Sequence, residues 1–103
     1  MNLRGTLPLL ILRVLESGPR HGYRIAAEIK RASQGVLDFR EGTLYPALHA
    51  HENRGLVESF EQVEKGRRRR YYRLTEAGLR ALETRRAEWR QLTAAVDVIL
   101  GEA

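Results

Sequence analysis

Basic side chains are concentrated in one short stretch of the chain, residues 65–73, which reads Lys-Gly-Arg-Arg-Arg-Arg-Tyr-Tyr-Arg. Without its six basic residues the chain would keep 12 of its 18 basic residues against 13 acidic ones, so this stretch supplies the whole net charge of +5. Guanidinium groups pair with phosphates and enter narrow minor grooves of DNA. The local excess indicates contact with a polyanion, and the alternative is a solvated turn without a specific partner.

Residues able to support catalysis or bind a metal are scarce. The chain has no cysteine, and it has three histidines, His21, His49 and His51. His49 and His51 are two residues apart and would lie on different faces of a helix, so we do not expect them to share a metal ion. There is no glycine-rich phosphate loop and no recognisable Ser-His-Asp set. The sequence therefore predicts a protein that is not an enzyme, with no metal and no cofactor.

A second group of polar residues lies on a helix predicted at residues 40–53, in which Leu44, Ala47 and Leu48 face inward. The candidates for its outward face are Arg40, Glu41, Thr43, Tyr45 and His49. Such side chains contact phosphates and base edges when a helix lies in the major groove of DNA. The alternative for Tyr45 is a packed tyrosine with a satisfied hydroxyl.

The basic stretch falls on a predicted β-hairpin. Residues 56–64 and 67–74 alternate in side-chain character, and Lys65-Gly66 supplies the turn between them. The residues expected at the tip are Lys65, Arg67, Arg68, Arg69 and Arg70. In a winged domain such a hairpin contacts the DNA backbone or minor groove beside the recognition helix. We therefore expect double-stranded DNA as the partner.

Helical periodicity predicts four helices around this hairpin. They are expected at about residues 3–15, 20–32 and 40–53 and, after an N-cap at Thr75, over about 25 further residues. Pro46 removes a backbone donor inside the third helix, so we expect an irregular start there. The fold class is mainly α with a small β-hairpin wing. We expect a winged helix-turn-helix DNA-binding domain at residues 1–74, whose N-terminal helix also lies in the dimer interface, and a C-terminal dimerisation helix at residues 75–103.

The apolar residues exceed what a monomer of this size can cover. The last predicted helix has an apolar stripe at spacings of three and four, formed by Leu79, Leu82, Trp89, Leu92, Val96, Ile99 and Leu100. A homodimer would bury this stripe. Its two recognition helices would lie roughly 34 Å apart, which predicts a pseudo-palindromic operator. Trp89 is either an interface core residue or a stacking wall for a planar effector.

Three motifs make the sequence resemble the PadR family of transcriptional regulators. They are His21-Gly22-Tyr23-Arg24-Ile25, Gly42-Thr43-Leu44-Tyr45-Pro46-Ala47-Leu48 and Arg70-Tyr71-Tyr72-Arg73-Leu74-Thr75-Glu76-Ala77-Gly78. The resemblance implies a winged-helix homodimer that represses transcription by occupying a promoter. In parts of the family a small aromatic ligand releases the DNA. With one C-terminal helix the chain resembles the short subgroup, where a tryptophan lines a pore between subunits, and Trp89 matches that position.

The chain departs from the family pattern at His51-Glu52, where a Leu-Glu pair is usual. Either the imidazole of His51 packs into an apolar site, or the third helix ends differently. Titration of His51 would then make DNA binding sensitive to pH.

Two expectations concern location and a competing function. The longest apolar run, Leu7 to Leu12, is too short to span a membrane and has no signal-peptide flanks, so we expect a cytoplasmic protein. The competing function is a protein-interaction module. In that case the helical stripe is the working surface, and the basic wing binds DNA only nonspecifically.

Overall fold

The computed structural model describes residues 5–102, which form four helices and a three-stranded antiparallel sheet. The elements are α1 (Leu7–Glu16), β1 (Arg20–His21), α2 (Gly22–Ala32), α3 (Glu41–Asn53), β2 (Val57–Glu64), β3 (Arg67–Leu74) and α4 (Glu76–Leu100). The strand order in the sheet is β1-β3-β2. The predicted fold class is confirmed: the chain is mainly helical, with a β-hairpin wing and a long C-terminal helix.

One hydrophobic core receives side chains from all four of these helices and from the sheet. Its buried residues are Leu7, Ile11, Leu12, Leu15, Ile25, Ile29, Phe39, Leu44, Leu48, Val57, Tyr72 and Leu82. Fully burying a leucine or isoleucine contributes about 1.5–3 kcal/mol, so α1, with four core residues, is central to stability. Leu82 brings the beginning of α4 onto the same core.

A tight junction joins the wing to α4. The side-chain oxygen of Thr75 accepts a hydrogen bond from the backbone N–H of Gly78 at 3.0 Å, which confirms the predicted N-cap. The same hydroxyl donates to the carbonyl of Gly55 at 2.7 Å. A Cβ on Gly78 would stand 2.0 Å from the carbonyl oxygen of Leu56. Only glycine permits this approach, which fixes the direction of α4 relative to the wing.

The beginnings of α1 and α3 differ from the prediction. α1 begins at Leu7 after a turn at Gly5-Thr6, and residues 3 and 4 lie outside the described residues. α3 runs without interruption through Pro46, so the prediction of an irregular start was wrong. Pro46 has no N–H to donate to the carbonyl of Gly42. Because Gly42 is exposed in the first turn of α3, water can bond this carbonyl.

A short strand that the sequence pattern did not reveal precedes α2. Arg20 pairs with Tyr72 and His21 pairs with Tyr71, so α2 begins two residues later than predicted. Two residues are too few to show the alternation that identifies a strand. Tyr23, in the first turn of α2, is 66% exposed.

His51 is buried in the core, with 2% of its surface exposed. Its Nε2 lies 2.9 Å from the carbonyl oxygen of Pro8, to which it donates when protonated there, and its Nδ1 has no hydrogen-bond partner among the described residues. Burial, the largest cause, lowers the pKa of His51. Of the two alternatives for this residue, packing into the interior is the one that the structure shows.

Candidate nucleic-acid interface

α3 is buried on one side and open on the other. Leu44 and Leu48 are fully buried, as predicted. Glu41, Tyr45 and His49 follow one another at intervals of four and therefore lie in one row along the helix. Glu41 and His49 are exposed, and Tyr45 is half-buried. This row forms the outward face that the sequence predicts for DNA contact.

Two other predicted contact residues also take part in the structure of α3. Arg40 is the N-cap, and its carbonyl accepts a hydrogen bond from the N–H of Leu44 at 2.9 Å. Arg40 itself is exposed. Thr43 is half-buried and lines a cleft of about 360 Å³ together with Leu7 and Pro8 of α1. Thr43 is therefore less open than Glu41 at the start of the same helix.

Tyr45 packs against the beginning of α2. A Cβ on Gly22 would stand 2.6 Å from the hydroxyl oxygen of Tyr45, so the glycine makes room for the phenol ring. The ring centroid of Tyr45 lies 6.0 Å from that of His49. Tyr45 therefore packs against its neighbours, as one of its two alternatives predicted, and part of its ring still reaches the surface.

The wing is a regular hairpin with a two-residue turn. Lys65 and Gly66 both have positive φ angles, 50° and 76°, as a type I′ turn requires. Glu64 pairs with Arg67 across this turn. All residues from 65 to 70 are exposed, so the predicted basic tip is at the surface.

The wing arginines differ in their partners. Arg70 donates to the hydroxyl of Ser59 at 2.8 Å and lies 3.4 Å from the carboxylate of Glu52 in α3. A hydrogen bond from Ser59 is the largest cause that lowers the pKa of Glu52, and Arg70 lowers it further. Arg68 lies 3.7 Å from Glu61, with 80% of its side chain exposed. Arg70 thus connects the wing to α3, whereas Arg68 is open to a partner.

One groove connects α3 with the wing. It has a volume of about 440 Å³ and is lined by His21, Gly22, Tyr23, Tyr45, Arg67, Arg68, Arg69, Arg70 and Tyr72. The lining contains four arginines and no acidic residue, so it attracts anions. Of the predicted site residues, the groove brings together Tyr45 and the four arginines. It does not include Arg40, Glu41, Thr43, His49 or Lys65.

His21 lines this groove and was not selected by the sequence analysis. Its Nδ1 accepts a hydrogen bond from the N–H of Arg24 at 3.3 Å, and its Nε2 lies 3.2 Å from Nη1 of Arg69. Burial is the largest cause that lowers the pKa of His21; the positive charge of Arg69 lowers it further, and Glu64 opposes them. The motif around His21 is evident in the sequence, but β1, which places His21 beside the wing, is not.

Three more exposed residues of α3 were not selected. They are Gly42, Pro46 and Asn53. Pro46 and Asn53 are three and four positions from His49, so helical spacing from that residue was a signal that could have identified them, and Gly42 is three positions from Tyr45. Pro46 offers an apolar contact of the kind that suits a thymine methyl group.

Trp89 lies outside this groove, on α4, and is 42% exposed. It lines a concavity of about 790 Å³ together with Leu9 of α1, Leu37 of the α2–α3 connection and Leu92 of its own helix. This apolar, open surface is compatible with either expectation for Trp89, an interface core or a wall for a planar ligand.

Within residues 5–102, no helix is long and apolar enough to cross a membrane. The same part of the chain contains no group of three or more histidine, cysteine, aspartate or glutamate side chains arranged to hold a metal ion. Among the described residues, the basic groove is the surface whose composition most clearly suits a ligand, and that ligand is an anion.

Three helices, a wing and a basic groove between α3 and the wing define the class of winged helix-turn-helix DNA-binding proteins. Solved structures agree with this class. The chain is similar to a transcriptional regulator from Clostridium thermocellum, with a TM-score of 0.86 and 29% identity over 92% of this chain and 93% of that chain. It is also similar to a PadR family transcriptional regulator from Eggerthella lenta, with a TM-score of 0.82 and 35% identity over 95% and 84% of the two chains.

The chain belongs to the PadR-like family of transcriptional regulators, whose model matches residues 11–84. A relative from Mycobacterium tuberculosis, named Transcriptional regulator Rv3488, is 46% identical over 85 residues, which cover 82% of this chain and 77% of that protein. The family resemblance predicted from the three motifs is confirmed. Because the family and its structural relatives are regulators, the prediction of a protein that is not an enzyme is confirmed as well.

Proposed function

We propose that this chain is a cytoplasmic repressor that binds double-stranded DNA sequence-specifically, as a homodimer on a pseudo-palindromic operator. The observation that carries the proposal is the shared groove, which Tyr45 of α3 lines together with Arg67–Arg70 of the wing. A groove of this composition accommodates a phosphate backbone while α3 enters the adjacent major groove.

In this proposal the two elements have different tasks. The row on α3, with Thr43 and Tyr45, contacts base edges and determines sequence preference. The wing arginines neutralise phosphates and contribute to binding of every sequence. Arg70 is already engaged with Glu52 and Ser59, so its first task is to hold the wing beside α3.

The exposed apolar side of α4 supports the homodimer. Leu92, Val96 and Ile99 are 56%, 42% and 83% exposed, and with Trp89 they recur at intervals of three, four and three. Such a stripe is typical of a helix that packs against another helix. The division between residues 1–74 and 75–103 remains a prediction, with the beginning of α4 in the core and the remainder at the interface.

A planar aromatic effector is the part of the proposal that depends on Trp89. The concavity that this residue lines would be completed by a second subunit, and a bound aromatic compound would stack on the indole ring. Titration of the homodimer with a panel of planar aromatic compounds tests this. Quenching of tryptophan fluorescence together with release of DNA supports an effector, and unchanged fluorescence across the panel contradicts it.

The central experiment is selection of bound duplexes from a random pool at about 150 mM salt. Enrichment of an inverted repeat is the expected result, because a two-fold dimer reads two half-sites. A pool without a motif would contradict sequence-specific repression. It would favour the alternative function, in which the apolar stripe binds another protein and the wing binds DNA nonspecifically.

Substitutions then test the division of tasks. Replacing Arg67 and Arg68 by glutamine should weaken binding to all duplexes and reduce the slope of log K against log salt by about 2, because two phosphate contacts are lost. Tyr45→Phe should instead change the preferred sequence with little effect on the slope. Arg80→Gln combined with Arg90→Gln, at two exposed arginines of α4 outside the groove, is the charge-matched control. An equal loss of specific and nonspecific binding in both groove variants would contradict the division.

A further inference from the structure

His21 makes two contacts that one neutral imidazole ring cannot satisfy. Its Nδ1 accepts from the backbone N–H of Arg24, and its Nε2 lies 3.2 Å from Nη1 of Arg69. A neutral histidine has a lone pair on only one ring nitrogen, and an arginine guanidinium has only donors. With Nδ1 used as the acceptor of the α2 cap, Nε2 must carry the proton. Two donors therefore face each other across the groove.

The charged and titratable groups around His21 do not resolve this conflict. Arg24 on α2 and Arg69 on β3 are both positive. The ring centroids of Tyr71 on β3 and Tyr23 on α2 lie 5.6 Å and 6.4 Å from that of the imidazole. The one carboxylate whose charge acts on His21 is that of Glu64 on β2, among the groups within the described residues. That carboxylate accepts a hydrogen bond from the hydroxyl of Tyr71. The pair of donors is thus without an acceptor between them.

An oxygen with negative charge is the acceptor that would fit. It would accept from both nitrogens at once and would remove the repulsion between them. The position lies in the groove whose lining contains four arginines and no acidic residue. The site consists of two side-chain donors on neighbouring strands, and it does not depend on the amides of the α2 N-terminus.

We infer that His21 and Arg69 together bind a DNA backbone phosphate, and that this contact is coupled to protonation of His21. The inference rests on the proposed function and specifies one of its contacts. The phosphate oxygen accepts hydrogen bonds from Nε2 of His21 and Nη1 of Arg69. Protonation of Nδ1 then adds a positive charge beside the phosphate, at the expense of the hydrogen bond to Arg24.

The coupling has a definite sign. In the free protein, burial and Arg69 hold the pKa of His21 below its ordinary value of 6.5, so the ring is mostly neutral near pH 7. A bound phosphate raises the pKa, because it stabilises the imidazolium. Binding therefore takes up a proton between the two pKa values, and affinity rises as pH falls through that window. Each unit of difference between the two values corresponds to about a tenfold change in affinity per site.

His21→Asn is the variant that isolates the contact. An asparagine side chain can still accept from the N–H of Arg24, since asparagine is among the best N-cap residues, but it is too short to present a donor beside Arg69. We expect the variant to keep its circular dichroism spectrum and melting temperature. Its affinity for the selected duplex should fall at roughly pH 6 and should vary less between roughly pH 6 and pH 8 than that of the wild type.

NMR titration of the histidine side chains assigns the proton. The His21 resonances should report a higher pKa with duplex bound than in the free protein. Arg69→Gln should raise the pKa of His21 in the free protein, because a repelling charge is removed, and this readout requires no DNA. The side-chain resonances of His49 and His51 are assigned separately in the same spectra, so their contribution is distinguished from that of His21.

Sulfate, which keeps its charge over this pH range, serves as the small-anion probe against chloride at equal ionic strength. A higher pKa of His21 with both sulfate and duplex supports the inference. A higher pKa with sulfate alone overturns it, because the site then binds free anions and not the DNA backbone. An unchanged pKa with both probes also overturns it, even if an inverted repeat is selected and the proposed function stands. If no motif is selected, the proposed function fails, and the titration with a random duplex still decides whether His21 contacts phosphate.

Discussion

The groove between α3 and the wing and the apolar side of α4 differ in how their exposed side chains are held. In the groove, polar side chains have identified partners: Arg70 contacts Glu52 and Ser59, and His21 caps α2. On α4, the apolar side chains of Leu92, Val96 and Ile99 remain between 42% and 83% exposed. The first region is arranged by contacts within the chain, whereas the second leaves an apolar surface that the proposed homodimer would cover.

This difference explains how one small chain can support two binding events. Ion pairs at a surface contribute little to stability, so the groove can lose or gain an ion pair without unfolding the domain. Burial of a large apolar side chain contributes about 1.5–3 kcal/mol, so covering α4 would supply most of the energy of association in the proposed homodimer. In that proposal, specificity for DNA and affinity between subunits come from separate parts of the molecule.

The largest effect is expected from acidic substitutions on α4. Leu92→Glu combined with Val96→Glu should raise the dissociation constant of the homodimer by about three orders of magnitude, because an unpaired charge buried at an interface costs several kcal/mol. Operator affinity should fall with it, since a monomer reads one half-site. Light scattering after size-exclusion chromatography and duplex binding at equal salt measure the two effects.

The control for this pair carries the same added charge on other faces of the same helix. Gln91→Glu combined with Ala94→Glu lies outside the apolar stripe by helical spacing and should leave the homodimer intact. If both pairs of substitutions had the same effect, added negative charge near DNA would be the cause and the stripe would not be the interface. If the wild-type protein were monomeric at all concentrations, α4 would not be a homodimer interface, and the contrast drawn between α4 and the groove would not hold.

Much of the fold could be predicted because the relevant signals are local. Apolar spacing identified α2, α3 and α4, the Lys65-Gly66 turn identified the hairpin, and Thr75 was recognised as an N-cap. Charge concentration indicated a basic surface, and the structure shows those arginines exposed on the wing. These features depend on residues a few positions apart, which a single sequence displays directly.

The remainder of the site depends on contacts between residues distant in sequence. His21 meets Arg69 only because β1 pairs with β3, and β1 is too short to leave a pattern. Arg70 differs from the neighbouring arginines because it contacts Glu52, which lies 18 positions away in the sequence. The burial of His51 against Pro8 likewise joins α3 to α1. No local periodicity contains this information.

A second prediction tests whether the groove is arranged by packing. Gly22→Ala should displace the ring of Tyr45, because the new Cβ would stand within 3 Å of it. We expect the free energy of unfolding in urea to fall by about 1–3 kcal/mol, the usual cost of overpacking. Gly42→Ala is the control: apart from the backbone of its own helix and its chain neighbours, no atom lies within 4 Å of its Cβ position, and alanine in a helix should gain up to about 0.5 kcal/mol. Equal stabilities of the two variants would show that Tyr45 does not depend on Gly22.

The smallest effect is expected at His51, which is buried where α3 packs against α1. Burial lowers its pKa in the folded protein, with Arg85 and Arg54 adding to the effect and the hydrogen bond to Pro8 opposing it. In the unfolded chain the imidazole binds a proton near its ordinary pKa of 6.5, so the unfolded state takes up more protons as the pH falls below that value. Stability contributed at this site is therefore present above the ordinary pKa and is lost between it and the lower pKa of the folded state.

His51→Leu removes this titration and the unpaired Nδ1. We expect similar urea midpoints for the variant and the wild type near pH 8, and a variant that is more stable by about 1 kcal/mol near pH 5. Because His51 lies outside the groove, the proton uptake that accompanies DNA binding should persist in the variant. Loss of that uptake in His51→Leu, with His21 intact, would mean that the core histidine and not the groove histidine makes DNA binding sensitive to pH.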